Sequence, residues 1–244
     1  MARLQDKVII ITGAAQGMGD THARLCIEAG AKVVLTDINA EKGQALATEL
    51  GSNALFIKHD VTSEAGCKQV VEQTEAQFGP VNVLVNNAGI TMAKSILDVS
   101  LEDYRRIIDI NQVSVFLGMK AVIPSMKTSQ SGSIINISSI NGLVGGAIGY
   151  TDSKFAVRGM TKAAALACAP FGIRVNSVHP GVIATPMIMQ GDTKDVVEAF
   201  AKTIPVKRLA QPEEVSSMVL YLASDDSSYS TGSEFIVDGG LTAQ

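Results

Sequence analysis

Residues Val8–Gly19 read VIIITGAAQGMG, a short β-branched run that passes directly into a glycine-rich loop. The sequence predicts a helix near Gly17–Ala29, so a strand, a tight loop and a helix follow one another. Glycines permit the turn and a close backbone approach, and a helix N-terminus offers unpaired N–H groups to a pyrophosphate. A plain strand-to-helix turn has similar glycines. Asp37 favours a binding site, because it ends the next strand, about 20 residues beyond the loop, where a ribose-binding carboxylate is expected.

The rest of the chain alternates short β-branched runs with helical stretches, the pattern of a parallel sheet covered by helices on both faces. Seven strands are predicted, at Val8–Thr12, Lys32–Asp37, Ala54–Lys58, Val81–Asn86, Gly132–Ser138, Arg174–His179 and Glu234–Val237. Helices are predicted near Gly17–Ala29, Ala40–Leu50, Ser63–Phe78, Leu101–Met126, Tyr150–Ala169 and Glu213–Ala223. The long segment Ile183–Pro205 fits no strand, so a substrate lid is predicted at about residues 183–205.

Composition indicates one soluble enzyme domain. The 244 residues contain no linker-like stretch, and 20 Lys and Arg stand against 24 Asp and Glu. No basic run suits a nucleic acid backbone, so nucleic acid is not expected as a partner. Apolar runs such as Val8–Ile11 are too short to cross a bilayer, and the N-terminus has no secretory apolar region. We therefore expect a single cytoplasmic domain, residues 1–244, with no membrane partner.

Cysteines and histidines give no sign of a metal site. Cys26, Cys67 and Cys168 are odd in number, widely separated and without a CxxC spacing, which supports neither a disulfide framework nor zinc. The three histidines, His22, His59 and His179, are equally scattered. We expect inert thiols, packed or surface histidines, and no metal.

Tyr150 and Lys154 form the strongest candidate for proton transfer. In a helix, residues four apart lie on one face, so both can point into one pocket. Lowering a phenol pKa of about 10 by about 3 units requires roughly 4 kcal/mol. One ammonium at about 4 to 5 Å supplies roughly 3 to 4 kcal/mol at an effective dielectric of about 20. Alone, the pair would be an ordinary solvated helix face; the neighbouring motifs favour a catalytic pair.

These motifs, in this order, resemble the short-chain dehydrogenase/reductase family from Lys7 to the VDGG at Val237–Gly240. The loop has the TGxxxGxG spacing of the family, and NNAG, Tyr-x-x-x-Lys and HPGVIATPM match further family motifs. Among its members, the chain looks most like bacterial secondary-alcohol dehydrogenases that act on cyclic alcohols, hydroxysteroids and (R)-alcohols. The resemblance implies an α/β fold of Rossmann type, a doubly wound, seven-stranded parallel sheet.

The resemblance also implies roles for particular residues. The cofactor-binding residues would be Gly13, Gln16, Gly17, Met18, Gly19, Asp37, Asp60, Val61, Asn87, Ala88, Gly89, Tyr150, Lys154, Pro180, Gly181, Ile183 and Thr185. A hydride would pass between the nicotinamide and a carbinol carbon. Tyr150 would be the general acid/base, and Lys154 would lower its pKa and hold the nicotinamide ribose. Ser139 would hydrogen-bond the substrate oxygen, and Asn111 would keep a proton-relay water in place.

One departure from the family concerns the serine. Ser139 lies about two residues closer to Tyr150 than the catalytic serine does in most relatives. Alignment from the preceding strand selects Ser139 and leaves Ser138 as the alternative. The shortened segment, residues 142–149, has four glycines, which suggests a thin or mobile wall beside the substrate.

The charge and polarity of the predicted site residues indicate the cofactor and the substrate. Asp37 would repel the 2′-phosphate of NADP, and Gln16 stands where NADP-dependent relatives often have a basic residue, so NAD is expected. Apolar residues at the lid (Met187, Ile188, Met189) and rim (Leu143, Val144) favour a neutral secondary alcohol or ketone. Two alternatives stay open: a 3-oxoacyl-carrier-protein reductase, with Lys207 and Arg208 as basic surface, and a non-catalytic NAD-binding regulator. The resemblance also implies a homotetramer.

Overall fold

Seven parallel strands form one sheet in the order β3-β2-β1-β4-β5-β6-β7. The computed structural model describes residues 3–92, 94–186 and 199–244. The strands are β1 (Val8–Thr12), β2 (Lys32–Asp37), β3 (Ala54–Lys58), β4 (Val83–Asn86), β5 (Gly132–Ile137), β6 (Ile173–Pro180) and β7 (Glu234–Val237). The order reverses between β1 and β4. The carboxyl ends of these two strands therefore border the crevice where open α/β sheets bind ligands.

Helices cover both faces of the sheet. They are α1 (Gly17–Glu28), α2 (Ala40–Leu50), α3 (Glu64–Phe78), α4 (Leu101–Ile108), α5 (Ser114–Ser129), α6 (Tyr150–Cys168) and α7 (Pro212–Ala223). One core contains apolar residues of α1, α2 and α7, and the other contains residues of α3, α5 and α6. The prediction of a doubly wound, seven-stranded parallel sheet is confirmed.

Capping residues explain where several helices begin. Ser100 accepts a hydrogen bond from the backbone N–H of Asp103 at 3.1 Å, which satisfies a donor at the start of α4. Asn39 does the same for α2, at 3.1 Å from the N–H of Lys42. Pro212 is the first residue of α7, a position where its missing N–H costs nothing.

A π-helical turn at Asp109–Val113 joins α4 to α5 and was not expected. The sequence predicted one continuous helix over Leu101–Met126, whereas the structure has two α-helical parts around this turn. π-Helical turns inside helices are frequent at functional sites, and this one carries Asn111, which is fully buried. Other differences are small: β4 begins at Val83, β5 ends at Ile137 and β6 extends to Pro180.

The helical run Leu101–Ser129 is long and apolar enough to cross a membrane by length and composition alone, with a mean hydropathy of 1.3 in its most apolar window. Core helices of soluble proteins pass the same test. In this fold, Val115, Met119, Val122 and Met126 of the run pack into the core shared with α3 and α6. The run is therefore weak evidence for a membrane span.

Candidate active site

Two glycines at the turn from β1 into α1, Gly13 and Gly19, lie too close to neighbouring atoms to carry a side chain. Gly13 and Gly17 have φ angles of +63° and +62°, a region that favours glycine. A Cβ on Gly13 would lie 2.8 Å from Cα of Ala88, and one on Gly19 would lie 2.2 Å from the Gly13 carbonyl oxygen. The N-cap of α1, Gln16, makes no side-chain cap. The first N–H groups of α1 therefore remain available to an anion.

Side-chain hydrogen bonds of Thr12 and Asn87 fix the glycine loop against the end of β4. The Thr12 hydroxyl accepts hydrogen bonds from the backbone N–H groups of Asn87 and Ala88, each at 3.0 Å. In return, the Asn87 amide donates to the carbonyls of Thr12 and Gly13, at 2.9 and 3.1 Å. The two walls of the crevice are thus held at a fixed separation.

Asp37 stands at the carboxyl end of β2 with both oxygens oriented. One oxygen accepts from the N–H of Ala15 at 3.1 Å, and the other from the N–H of Asn39 at 2.9 Å. A basic group also approaches this end of the crevice, because Lys42 Nζ lies 2.9 Å from Oε1 of Gln16. The carboxylate is therefore fixed in place, with one lysine nearby.

These elements border a cleft of about 1150 Å³. Ligand pockets commonly measure roughly 300 to 1000 Å³, so the cleft can hold a ligand as large as a dinucleotide. Eleven of the predicted cofactor residues line it: Gly13, Gln16, Gly17, Met18, Asp37, Asp60, Val61, Asn87, Ala88, Gly89 and Thr185. The uncapped α1 N-terminus, the glycine cradle and the oriented Asp37 fit the pyrophosphate and the adenosine ribose of a nicotinamide dinucleotide.

Six predicted cofactor residues do not line this cleft: Gly19, Tyr150, Lys154, Pro180, Gly181 and Ile183. Gly19 packs α1 onto the loop, and Ile183 is buried in the core, where it forms a parallel bridge with Ala210. Pro180 ends β6 opposite Val237 of β7. The N–H of the next residue, Gly181, donates to the Val237 carbonyl at 2.9 Å.

Several cleft residues escaped the sequence analysis. Ile38 and Thr62 directly follow predicted residues in the chain, and that proximity is a signal that could have found them. Arg105 and Arg106 belong to α4, which reaches the cleft only in the folded chain. No sequence motif marks these two arginines.

The two serines at the end of β5 have different partners. The Ser138 hydroxyl donates to the backbone carbonyl of Lys154 at 3.0 Å. The Ser139 hydroxyl accepts from the N–H of Asn141 at 3.1 Å and is near enough to the Tyr150 phenol to lower its pKa. Ser139 is thus the serine that meets the tyrosine, and Ser138 ties β5 to α6.

Burial raises the pKa of Tyr150, and the hydrogen bond with Ser139 opposes that rise. Lys154 Nζ lies 5.6 Å from the centre of the phenol ring and donates to the Ile137 carbonyl at 2.9 Å. Burial also lowers the pKa of Lys154 to about 8. Loss of solvation dominates both groups in this structure. The expectation that Lys154 lowers the pKa of Tyr150 stays a prediction.

Asn111, on the π-helical turn, holds the segment that follows β4. Its amide donates to the Ile90 carbonyl at 2.9 Å and accepts from the Ile90 N–H at 2.8 Å. A Cβ on Gly89 would lie 3.3 Å from Oδ1 of Asn111 and 3.6 Å from Nζ of Lys154. Asn111, Gly89 and Lys154 therefore lie close together. The relay water expected at Asn111 stays a prediction.

The short segment from Ser139 to Tyr150 is built on glycines of unequal freedom. A Cβ on Gly142 would lie 2.6 Å from the Ser138 hydroxyl and 2.8 Å from the Lys154 carbonyl oxygen. One on Gly146 would lie 2.0 Å from Nδ2 of Asn141, whereas one on Gly145 meets nothing within 4 Å. The Asn141 amide also donates to the Gly145 carbonyl at 3.1 Å. Close contacts and a hydrogen bond therefore hold this segment in place, and it has free space only near Gly145.

The predicted lid is only partly described. Ile183–Pro186 and the residues from 199 onward are within the described ranges, but Met187, Ile188 and Met189 lie outside them. At the rim, Val144 is 43% exposed.

Comparisons with known proteins agree with this geometry. A family model described as enoyl-(acyl carrier protein) reductase matches residues 13–242. A 3-alpha-(or 20-beta)-hydroxysteroid dehydrogenase of Mycobacterium bovis is 50% identical over 99% of this chain and 91% of its own. A cyclopentanol dehydrogenase of Comamonas sp. is 49% identical over the whole of both chains. An NADP-dependent (R)-specific alcohol dehydrogenase of Lentilactobacillus kefiri is 42% identical over 99% of each.

A solved structure gives the same result. The short-chain type dehydrogenase/reductase of Mycobacterium marinum superposes with a TM-score of 0.93 at 36% identity, over 99% of this chain and 97% of the other. The chain belongs to the short-chain dehydrogenase/reductase family. It is accordingly an oxidoreductase of the kind that binds a nicotinamide cofactor, and the predicted family resemblance is confirmed.

Proposed function

We propose that this reductase interconverts neutral secondary alcohols and ketones with NAD(H), with Tyr150 as the general acid/base. The observation that carries the proposal is that the Ser139 hydroxyl, at the end of β5, lies near enough to the Tyr150 phenol to lower its pKa. Two hydroxyl donors side by side can bind one substrate oxygen. The names of the relatives, which include hydroxysteroid, cyclopentanol and (R)-specific alcohol dehydrogenases, support an alcohol as substrate.

The proton chemistry falls to the chain's own side chains. Tyr150, protonated because burial raises its pKa, gives its proton to the carbonyl oxygen during reduction and takes it back during oxidation. Ser139 donates a second hydrogen bond to the oxygen as negative charge develops there. Lys154 holds the end of β5 through the Ile137 carbonyl and would hold the nicotinamide ribose. The nicotinamide, when bound, supplies the hydride chemistry.

Asp37 supports NAD rather than NADP. Two backbone N–H groups orient its carboxylate at the cleft, where it can accept the ribose hydroxyls and would repel a 2′-phosphate. Lys42 is the group that opposes this preference, since it reaches the same end through Gln16. One relative is named as NADP-dependent, so the preference needs direct measurement.

A 3-oxoacyl-carrier-protein reductase is the second candidate. The description of the matching family model, enoyl-(acyl carrier protein) reductase, names the same kind of carrier but a different reaction. Such an enzyme needs basic surface for an acidic carrier. Arg208, however, forms an ion pair with Glu214 at 2.7 Å, and Lys207 donates to the Lys202 carbonyl at 2.9 Å. Part of the basic surface is therefore already neutralised, and the alcohol dehydrogenase remains our proposal.

A substrate panel tests the proposed function. Cofactor oxidation would be followed with cyclic, aryl-alkyl and steroid ketones and with an acetoacetyl thioester, using NADH and NADPH in turn. We expect turnover of a neutral ketone with NADH. Exclusive turnover of the thioester would replace the proposal with the carrier-protein reductase.

A homotetramer and a cytoplasmic location complete the proposal. Exposed apolar side chains support assembly: Phe116 on α5 is 49% exposed, Phe155 on α6 is 42% and Ile236 on the edge strand β7 is 47%. Light scattering on the purified protein would give the oligomeric state, and cell fractionation would give the location. A monomer would contradict the first expectation.

A further inference from the structure

His179, for which the sequence predicted no special role, contacts the backbone of the serine in the candidate active site. The side chain is fully buried on β6. Its Nδ1 lies 2.9 Å from the Ser139 carbonyl oxygen, and its Nε2 lies 2.9 Å from the Ser177 hydroxyl. Ser177 and His179 are two residues apart on a strand, so their side chains share one face of the sheet.

The partners determine which ring nitrogen has the proton. A carbonyl oxygen only accepts hydrogen bonds, so Nδ1 must donate to Ser139. Nε2 is then the acceptor and receives the Ser177 hydroxyl, whose alternative acceptor, the Ser233 carbonyl, is more distant at 3.5 Å. Burial is the largest influence and lowers the pKa of His179; the hydrogen bond to the Ser139 carbonyl and Glu234 on β7 raise it, and Arg158 and Lys154 on α6 lower it. The ring is therefore neutral at neutral pH.

The fold leaves the Ser139 segment in need of such a partner. Pairing between β5 and β6 ends with Ile137 opposite Val178, and the last ladder bond runs from the Ser138 N–H to the Val178 carbonyl at 2.8 Å. Pro180 has no N–H with which to continue the ladder. Beyond this point the Ser139 carbonyl accepts from the Gly142 N–H, at 2.9 Å, and from the imidazole of His179.

We propose that His179 is a positioning residue for Ser139, holding its backbone so that the hydroxyl points toward Tyr150. The inference rests on the proposed function, because it takes Ser139 as a donor to the substrate oxygen. The Ser139 carbonyl is held by His179 and Gly142, and its Oγ accepts from the Asn141 N–H. The hydroxyl hydrogen of Ser139 can still rotate, and it points to Tyr150 or to substrate.

Two amide substitutions separate the two ends of the imidazole. His179→Asn places an amide nitrogen near the position of Nδ1, whereas His179→Gln places its amide near the position of Nε2. We expect the asparagine variant to keep kcat within about threefold of the parent and the glutamine variant to lose about ten- to a hundredfold, with KM changing less, since one directed hydrogen bond is lost. Both variants should bind NADH with similar affinity, because neither His179 nor Ser139 lines the cofactor cleft.

A double-mutant cycle with Ser139→Ala tests whether His179 acts through the serine. If it does, His179→Gln should cost almost nothing further in the alanine background. An equal cost in both backgrounds, or equal losses from the asparagine and glutamine variants, would overturn the inference. A fully active Ser139→Ala variant would instead overturn the proposed role of the serine, and the inference with it. A full-rate glutamine variant beside a defective Ser139→Ala variant would overturn the inference alone.

Nitrogen NMR of the parent protein gives a second measurement that does not depend on the variants folding. The expected signal is a neutral His179 ring protonated at Nδ1. A ring protonated only at Nε2 could not donate to the Ser139 carbonyl and would overturn the inference.

Discussion

Ser138 donates its hydroxyl to the backbone carbonyl of Lys154 at 3.0 Å. This bond joins the end of β5 to the first turns of α6, so it connects the strand and the helix that bear the candidate catalytic groups. Neighbouring Ser139 faces Tyr150 instead. Adjacent serines of identical chemistry thus have different partners, which lets their proposed roles be tested separately.

The two serines should respond differently to alanine. Ser139→Ala should lower kcat by about two to three orders of magnitude, the usual cost of one lost oxyanion donor. Ser138→Ala should leave most of the rate and reduce the free energy of unfolding by about 1 kcal/mol, the net value of one hydrogen bond. Steady-state kinetics on one neutral ketone and urea denaturation would measure both effects. A larger rate loss from Ser138→Ala would show that the serine assignment is wrong.

Removing the Tyr150 hydroxyl should separate chemistry from cofactor binding. Tyr150→Phe should abolish nearly all turnover while NADH binding, measured by fluorescence, stays largely intact, because the phenol acts on the substrate. Lys154→Ala serves as the comparison and should impair both. If the phenylalanine variant kept about a tenth of the parent rate, the general acid would have to be another group.

Asp37 should set the cofactor preference. Repulsion of roughly 3 to 4 kcal/mol between its carboxylate and a 2′-phosphate implies a preference for NAD of about two to three orders of magnitude. Asp37→Ala should remove most of that preference. Glu41→Ala, which removes an exposed acid from the first turn of α2, is the matched control for net charge and should leave it unchanged. Comparable kcat/KM values for both cofactors in the parent would refute the prediction.

His22 should make the protein less stable in acid. His22 lies on α1, and its fully buried ring hydrogen-bonds the Ser216 hydroxyl of α7. Burial lowers the pKa of His22 from 6.5 to about 3. As the pH falls from 6.5 toward 3, the unfolded chain therefore binds a proton at His22 that the folded chain does not bind. Stability present above pH 6.5 is lost over this range. At a pH about 2 units below the unfolded value, this loss is roughly 2 to 3 kcal/mol.

Urea denaturation at neutral and acidic pH would measure the effect of His22. His22→Asn can still meet Ser216 but does not titrate, so its stability should fall less with acid than that of the parent. Identical pH dependence in both proteins would exclude His22 as the source.

The sequence predicted the sheet and the cleft because their signals are local. A glycine loop after a strand, Asp37 at the next strand end and NNAG at β4 each report on backbone conformation within a few residues. The π-helical turn had no such signal, since apolar spacing continues across Asp109–Val113. The raised pKa of Tyr150 and the contact of His179 depend on burial by distant elements. Spacing in the sequence predicts proximity but does not predict solvation.

The unequal glycines between Ser139 and Tyr150 have a practical consequence for engineering this reductase. Gly142 is enclosed by the Ser138 hydroxyl and the Lys154 backbone, so saturation mutagenesis there would mostly yield inactive protein. Gly145 opens onto free space beside the exposed Val144. A small library at position 145 is therefore the economical route to a changed substrate range, because side chains can be added to the rim without moving Ser138, Ser139 or the helix that bears Tyr150.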